Sequence, residues 1–243
     1  MVVYLLIGCV AFLGAIIQTT MGFGGAVLLI NVMPFFFPVT KSVALVQGSV
    51  IIINIVFTII YFKKIRWDVL WPALIPGIGL GVVFSIISIS IKAEMMIILL
   101  GLLFIVLSIY YLIVVNHINI IPSKINGFLM GAFSGFTNAF FGLAGPPVAL
   151  YLVPSINDKI EYFASSQVFF LLSSIACISV RLLSGIYEAS DVPIILYLMI
   201  MFILGSLIGI NLLRKIEGFL LKKIIYIFIG LNGIYLIAKQ FLF

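Results

Sequence analysis

Residues 18–26 read Gln-Thr-Thr-Met-Gly-Phe-Gly-Gly-Ala, a polar and glycine-rich stretch inside an otherwise apolar segment. Residues 138–154, Asn-Ala-Phe-Phe-Gly-Leu-Ala-Gly-Pro-Pro-Val-Ala-Leu-Tyr-Leu-Val-Pro, interrupt a second apolar segment in the same way. The two stretches match after a shift of 120 residues, and the matching pairs are Gly22 with Gly142, Gly25 with Gly145, and Pro34 with Pro154. We therefore predict two helices that are broken at equivalent points, a pattern that in a membrane protein indicates a transport site.

The composition places the rest of the chain in a lipid bilayer. Of the 243 residues, 65% are hydrophobic and 8% are charged, and the mean hydropathy is +1.41. The apolar runs are continuous, whereas the strands of a membrane barrel alternate apolar and polar residues. We predict an all-α polytopic membrane protein that forms one integral membrane domain.

The internal match extends well beyond the two breaks. At the same shift Gln18 corresponds to Asn138 and Gln47 to Gln167, while later glycines match at slightly larger shifts: Gly77 with Gly205, Gly81 with Gly209, and Gly101 with Gly230. An internal duplication explains this pattern. We predict two tandem homologous halves, residues 1–116 and 117–243, each a broken helix or hairpin followed by three transmembrane helices. The predicted full spans are Val43–Phe62, Val69–Ile91, Met95–Val115, Tyr162–Leu183, Val192–Leu213 and Ile224–Ala238. The later glycines are predicted to let neighbouring helices approach closely.

The basic residues discriminate between two courses for the broken segments. Residues 2–37 would be about 54 Å long as a continuous helix, which exceeds a bilayer core of about 30 Å. If each broken segment crosses once, the lysines and arginines divide six against seven between the two sides. If each returns to its own side, they divide nine against four, with Lys63, Lys64 and Arg66 on the richer side. The positive-inside rule therefore favours two hairpins, with both termini outside and the halves as inverted repeats.

A broken helix supplies the chemistry for holding an anion. Its second arm begins with unpaired N–H groups at the positive end of a helix dipole, and glycine lets a ligand approach the backbone. We expect these second arms to begin near Gly24-Gly25 and Gly145-Pro146, with neutral amides and hydroxyls nearby. The predicted substrate-binding residues are Gln18, Thr20, Gly22, Gly24, Gly25, Gln47, Asn138, Gly142, Gly145, Pro146 and Gln167.

The charged residues favour an anion and argue against other functions. The seven acidic residues fall in predicted loops or at the ends of spans, so a cation or proton relay has no carboxylate to use. Arg181 is expected to reach the membrane interface from the outer end of its span, with a role in attracting anions as the second interpretation. The net charge of +6 arises at the ends of apolar runs, where it does not indicate nucleic-acid binding. The single histidine, His117, falls in a loop, and no metal-ligating or catalytic cluster is evident, so we predict no enzyme, cofactor or metal site.

These motifs resemble those of the TauE/SafE family of membrane permeases, the sulfite exporter family. The matching segments are residues 22–25 with Pro34, and residues 131–135 continuing through 142–147, which together extend over nearly the whole chain. Ala26 and Ala144 depart from the pattern, since glycine is common at both positions. The resemblance implies a multi-pass protein of the prokaryotic plasma (inner) membrane that transports sulfur-containing oxyanions, sulfonates or small organic acids.

The leading hypothesis is a secondary transporter of a small anion, working by alternating access around a site at the bilayer midplane between the two breaks. An anion channel would use the same binding groups without alternating access, and a non-transporting membrane assembly protein is a third alternative. The expected partners are the small anion and the lipid bilayer, and self-association into a homo-oligomer stays open.

Overall fold

A computed structural model describes residues 2–114, 121–212 and 219–242. His117, the predicted boundary between residues 116 and 117, and the basic residues Arg214 and Lys215 lie outside the described residues. Within them the chain is α-helical with short turns, which confirms the all-α prediction. The helices are α1 (Val2–Met21), α2 (Gly25–Val32), α3 (Val39–Ile60), α4 (Trp67–Ile89), α5 (Ala93–Ile109), α6 (Lys124–Phe141), α7 (Gly145–Ser155), α8 (Lys159–Leu183), α9 (Val192–Leu212) and α10 (Phe219–Leu242).

The helices have the length and composition of membrane spans. Six segments of the described chain are long and apolar enough to cross a bilayer: four coincide with α1, α3, α4 and α8, and a fifth, Ala189–Asn211, combines most of α9 with the short turn before it. The sixth is α5 together with the π-helical turn Tyr110–Val114 that extends it. Many large aliphatic side chains on these helices are exposed, as a surface facing lipid requires.

Both predicted breaks are present, and they are shorter than the sequence suggests. The helix α1 continues through Gln18 to Met21, so the predicted interruption from residue 18 is wrong in its start, and only residues 22–24 are non-helical. The second break comprises residues 142–144. Gly22, Gly24 and Gly142 have φ angles of 87°, 120° and 72°, a region that side-chain-bearing residues rarely adopt. The second arms begin at Gly25 and Gly145, as predicted.

The long helices α3 and α8 run antiparallel through the centre of the molecule. Lys41, at the start of α3, donates a hydrogen bond to the carbonyl of Ile186, just beyond the end of α8. Arg66, just beyond the end of α3, contacts Glu161 and Ser165 at the start of α8. These contacts define two ends of the molecule, which we call the Lys41 side and the Arg66 side.

Each broken segment returns to the side from which it starts. The early part of α1 packs against the early part of α9, which begins next to Asp191 on the Lys41 side, and α2 leads back to the start of α3 on that side. The helix α6 begins beside Pro72 on the Arg66 side, and α7 leads back to α8 there, with Tyr151 donating a hydrogen bond to Val69 O. The α1–α2 and α6–α7 pairs therefore form helical hairpins whose open ends lie at opposite ends of the molecule.

The later glycines lie where neighbouring helices touch, as predicted. An added Cβ at Gly205 would meet the carbonyl oxygen of Phe12, and one at Gly135 would lie 2.5 Å from the carbonyl oxygen of Gly77. Through such contacts α1 packs on α9 and α4 packs on α6. The first hairpin is thus held by α9 and the second by α4.

Candidate functional site

A small cavity lies where the two hairpins overlap beside the middle of α3 and α8. Its volume is about 30 Å³, enough for one or a few water molecules. Gly24 and Ala26 are partly exposed, and the rest of the lining is buried. The lining consists of Gln18, Phe23, Gly24, Ala26, Val27, Val50, Asn54, Gly142, Leu143, Ala144, Gly145, Pro146, Phe170 and Ser174.

Ten of the fourteen described lining residues form five pairs that are related by the 120-residue shift. The hairpins contribute the pairs Phe23/Leu143, Gly24/Ala144 and Ala26/Pro146, and the long helices contribute Val50/Phe170 and Asn54/Ser174. The cavity is therefore lined by residues from both of the predicted halves. Transport sites in proteins built from repeats occupy this kind of location.

The polar groups of the cavity are neutral. Gln18 Nε2 donates a hydrogen bond of 3.0 Å to Asn54 Oδ1, and the hydroxyl-bearing Ser174 lies on the opposite long helix. The first turns of α2 and α7 also border the cavity, so two helix N-termini point their positive ends towards it. No carboxylate belongs to the lining. This set of donors suits an anion of low charge.

Ala144 shows why the second break tolerates a side chain where the first has glycine. Gly24 has a φ of 120°, whereas Ala144 at the equivalent position has a φ of −75°, which any residue can adopt. The departures of Ala26 and Ala144 from the family pattern are both in the cavity lining.

Of the predicted site residues, Gln18, Gly24, Gly142, Gly145 and Pro146 line the cavity. Thr20 instead donates a hydrogen bond to Ile16 O within its own helix. Gly22 and Gly25 are buried next to the lining residues, and an added Cβ at Gly25 would lie 2.6 Å from Gln18 Oε1.

Gln47 and Gln167 flank the cavity at opposite ends and are not among its lining residues. Gln47 Nε2 donates hydrogen bonds to the backbone carbonyl of Asn138 and to Asn138 Oδ1, at 2.9 and 3.0 Å. Gln167 Nε2 donates one of 3.0 Å to Gly22 O. Each amide therefore joins a long helix of one half to the hairpin tip of the other half. We call these contacts the Gln47 latch, on the Lys41 side, and the Gln167 latch, on the Arg66 side.

Arg181 corrects an expectation from the sequence. Its side chain turns inward and only 1% of it is exposed, so it does not reach the membrane interface. Its guanidinium donates to Gln47 Oε1 at 2.8 Å and to the carbonyl of Ala139. Nearby, on the loop after α8, burial raises the pKa of Tyr187, whose hydroxyl donates a hydrogen bond to Ala44 O.

Sequence reasoning missed the contributions of the long helices to the cavity. Asn54 and Ser174 lie 120 residues apart, so the repeat itself could have identified them as a pair of polar residues at equivalent positions. Phe23 and Leu143, which lie at the middle of the two breaks, are likewise 120 residues apart, so the repeat could have identified them too. Helix periodicity gave no signal, because the residues around them are apolar on all faces.

Comparison with known proteins assigns the family. The family model described as sulfite exporter TauE/SafE matches residues 6–236. The chain belongs to the sulfite exporter TauE/SafE family. The match extends through both hairpins and both long helices, so the cavity lies within the region that defines this family of membrane transporters. No curated protein and no solved structure gave a match.

Proposed function

We propose that this TauE/SafE protein is a secondary transporter of a small anion, which binds in the cavity between the two hairpins. The observation that carries the proposal is the convergence of two helix N-termini and the neutral donors of Gln18, Asn54 and Ser174 on one buried cavity. The family supports a sulfur-containing oxyanion, a sulfonate or a small organic acid as the substrate class.

The two latches support alternating access. Gln47 lies on α3 about 4.5 Å along the helix axis from the cavity residue Val50, towards the Lys41 side. Gln167 lies on α8 about 4.5 Å along the helix axis from the cavity residue Phe170, towards the Arg66 side. With both latches formed, the hairpin tips close the cavity at its two ends. Opening the Gln47 latch would admit substrate from the Lys41 side, and opening the Gln167 latch would admit it from the Arg66 side.

The antiparallel course of α3 and α8 supports an inverted-repeat mechanism. These helices hold equivalent positions in the two predicted halves, and the hairpins before them enter from opposite sides. An exchange of conformations between the halves would then convert a state open to one side into a state open to the other. The basic residues Lys63, Lys64 and Arg66 favour a cytoplasmic location for the Arg66 side.

A binding screen followed by a flux measurement tests the proposal. The purified protein is heated with sodium sulfite, methanesulfonate or acetate, with sodium chloride at the same ionic strength as the control. We expect at least one of these anions to raise the melting temperature, since a ligand that binds only the folded state stabilises it. Absence of stabilisation by the whole panel would contradict an anion site of this class.

Counterflow in proteoliposomes then separates a transporter from a channel. An excess of unlabelled anion inside the vesicles should drive transient accumulation of labelled anion, because an alternating-access carrier exchanges substrate across the membrane. A flux that neither saturates nor shows counterflow would establish the channel alternative.

A further inference from the structure

The side chain of Arg181 is a cation buried within a membrane-spanning helix. It lies in the last turn of α8, and 1% of it is exposed. A charge in this position is costly unless an opposite charge compensates it, and such residues mark substrate or ion pathways in membrane proteins.

The described residues supply only neutral partners to this guanidinium. Its hydrogen bonds go to Gln47 Oε1 and to the Ala139 carbonyl, while its Nε atom has no partner. None of the ion pairs in the described part of the chain includes Arg181. No carboxylate among residues 2–114, 121–212 and 219–242 therefore balances its positive charge.

The position of this charge matters because a broken helix presents two ends of opposite sign. The cavity is bordered by Gly142, at the C-terminal end of α6, as well as by Gly145, at the N-terminal end of α7. Helix dipoles place about half a negative charge at the first of these ends and about half a positive charge at the second. An anion in the cavity would be repelled by the former and attracted by the latter.

Arg181 compensates the unfavourable end. Ala139 lies in the last turn of α6, and its carbonyl belongs to the group that a helix C-terminus leaves unpaired. The Gln47 latch binds the neighbouring Asn138 carbonyl, and the side chain of Gln47 packs behind Gly142 on the cavity wall. The guanidinium of Arg181 is therefore separated from the cavity lining by Gln47 and by the last turn of α6. It acts on the cavity through that helix end.

In the described part of the chain, no cation donates to the first break. The residue equivalent to Arg181 is Tyr61, which packs against the rings of Phe57 and Phe163. The end of α1 receives the neutral amide of Gln167 on Gly22 O. The two breaks are consequently unequal in charge.

We propose that Arg181 is the positioning residue that gives the cavity its positive potential, so that the substrate's charge is held next to the start of α7 instead of being shared equally by the two hairpins. The inference rests on the proposed function and specifies its substrate as an ionised species. A neutral molecule of the same shape gains nothing from Arg181.

The first test cancels the charge of Arg181 without moving it. Cys177 lies one helical turn before Arg181 on α8, and its sulfur is 3.6 Å from Asn138 Nδ2. In Cys177→Asp a carboxylate would balance the guanidinium, whereas Cys177→Asn is the matched neutral variant. Methanesulfonate and sulfite are titrated as probes by thermal shift, with the neutral analogue methanesulfonamide in parallel.

We expect Cys177→Asp to weaken binding of the anionic probe by at least tenfold and Cys177→Asn to change it by less than threefold. Arg181→Gln should weaken anion binding at least tenfold, while Arg181→Lys, which keeps the charge, should retain most of it. Neutral-probe binding should be the same in every variant. If Arg181→Gln fails to fold, the Cys177 pair still decides the question.

Two results are kept distinct. If the wild type binds an anionic probe and Cys177→Asp binds it equally well, Arg181 only caps α6 and the inference is overturned while the proposed function stands. If no anionic probe binds the wild type, the proposed function fails, and this inference fails with it.

Discussion

The break after α1 and the break after α6 occupy equivalent positions, yet their ends are stabilised differently. The first uses two glycines with positive φ, at Gly22 and Gly24, and one neutral amide on its terminal carbonyl. The second uses one such glycine, Gly142, together with Gln47 and the cation of Arg181. The comparison shows that two helix breaks at equivalent positions can differ both in backbone conformation and in the charge that stabilises their ends. In a transporter this difference would make the two latches unequal in strength.

The largest expected effect comes from filling the space at either break. Gly25→Val and Gly145→Val should abolish transport, because an added Cβ would lie 2.6 Å from Gln18 Oε1 at the first position and 2.7 Å from Phe23 Cβ at the second. Transport is measured in proteoliposomes, with insertion checked by yield. Gly79→Ala is the matched control, since a Cβ there meets nothing within 4 Å. Normal transport by both valine variants would show that the breaks are merely kinks.

The two latches should differ in their contribution to stability. Gln47→Ala removes a partner from Arg181 and two hydrogen bonds from Asn138, so we expect a loss of about 3 kcal/mol in the free energy of unfolding. Gln167→Ala removes a single neutral hydrogen bond and should cost about 1 kcal/mol. Thermal unfolding in one detergent compares them. Equal losses of unfolding free energy in the two variants would contradict the prediction that the two breaks are stabilised to different extents. Both substitutions are also expected to weaken anion binding.

A smaller effect is expected at the polar pair on the long helices. Asn54→Ala leaves Gln18 Nε2 without its partner and should weaken anion binding by about 1 kcal/mol, or roughly fivefold. Ser174→Ala should weaken it by less, since it leaves this hydrogen bond intact. Titration with the anion that stabilises the wild type measures both. The exposed Ser179, on the same helix, provides a control in Ser179→Ala, and an equal change there would remove the pair from the site.

The smallest effect is expected from the ion pairs at the two ends of the molecule. Hydrogen bonds to Asp68 and Glu161 raise the pKa of the Arg66 guanidinium, yet Arg66 and Asp68 are well exposed to solvent and Glu161 is partly exposed. Arg66→Gln should therefore leave the melting temperature unchanged within error. Lys41→Gln should lower it measurably, because the Asp191 side chain is 8% exposed and would lose its ion-pair partner, keeping only the hydrogen bond from Glu188 N. A larger fall in melting temperature for Arg66→Gln than for Lys41→Gln would show that the ion pairs on the Arg66 side contribute more to stability.

The sequence by itself determined the membrane class, the family resemblance and the location of both breaks. Composition sets the class, because apolar runs of this length are soluble only in lipid. The breaks are local features: glycines with positive φ end α1 and α6, and the start of each second arm at Gly25 and Gly145 follows from the residues themselves. The Gln18 and Asn138 positions, chosen because they lie beside the breaks, are buried there.

Only the tertiary structure decided which side chains face the cavity. Arg181 was expected at the interface and turns inward, Gln47 and Gln167 form latches on either side of the lining, and Asn54 and Ser174 supply polar groups that periodicity did not reveal. The physical reason is that lipid is as apolar as the protein interior, so hydrophobicity does not distinguish the lipid-facing side of a membrane helix from its packed side. Close glycine contacts between the halves fix the rotation of each helix, and these contacts exist only after the two hairpins and their partner helices have assembled.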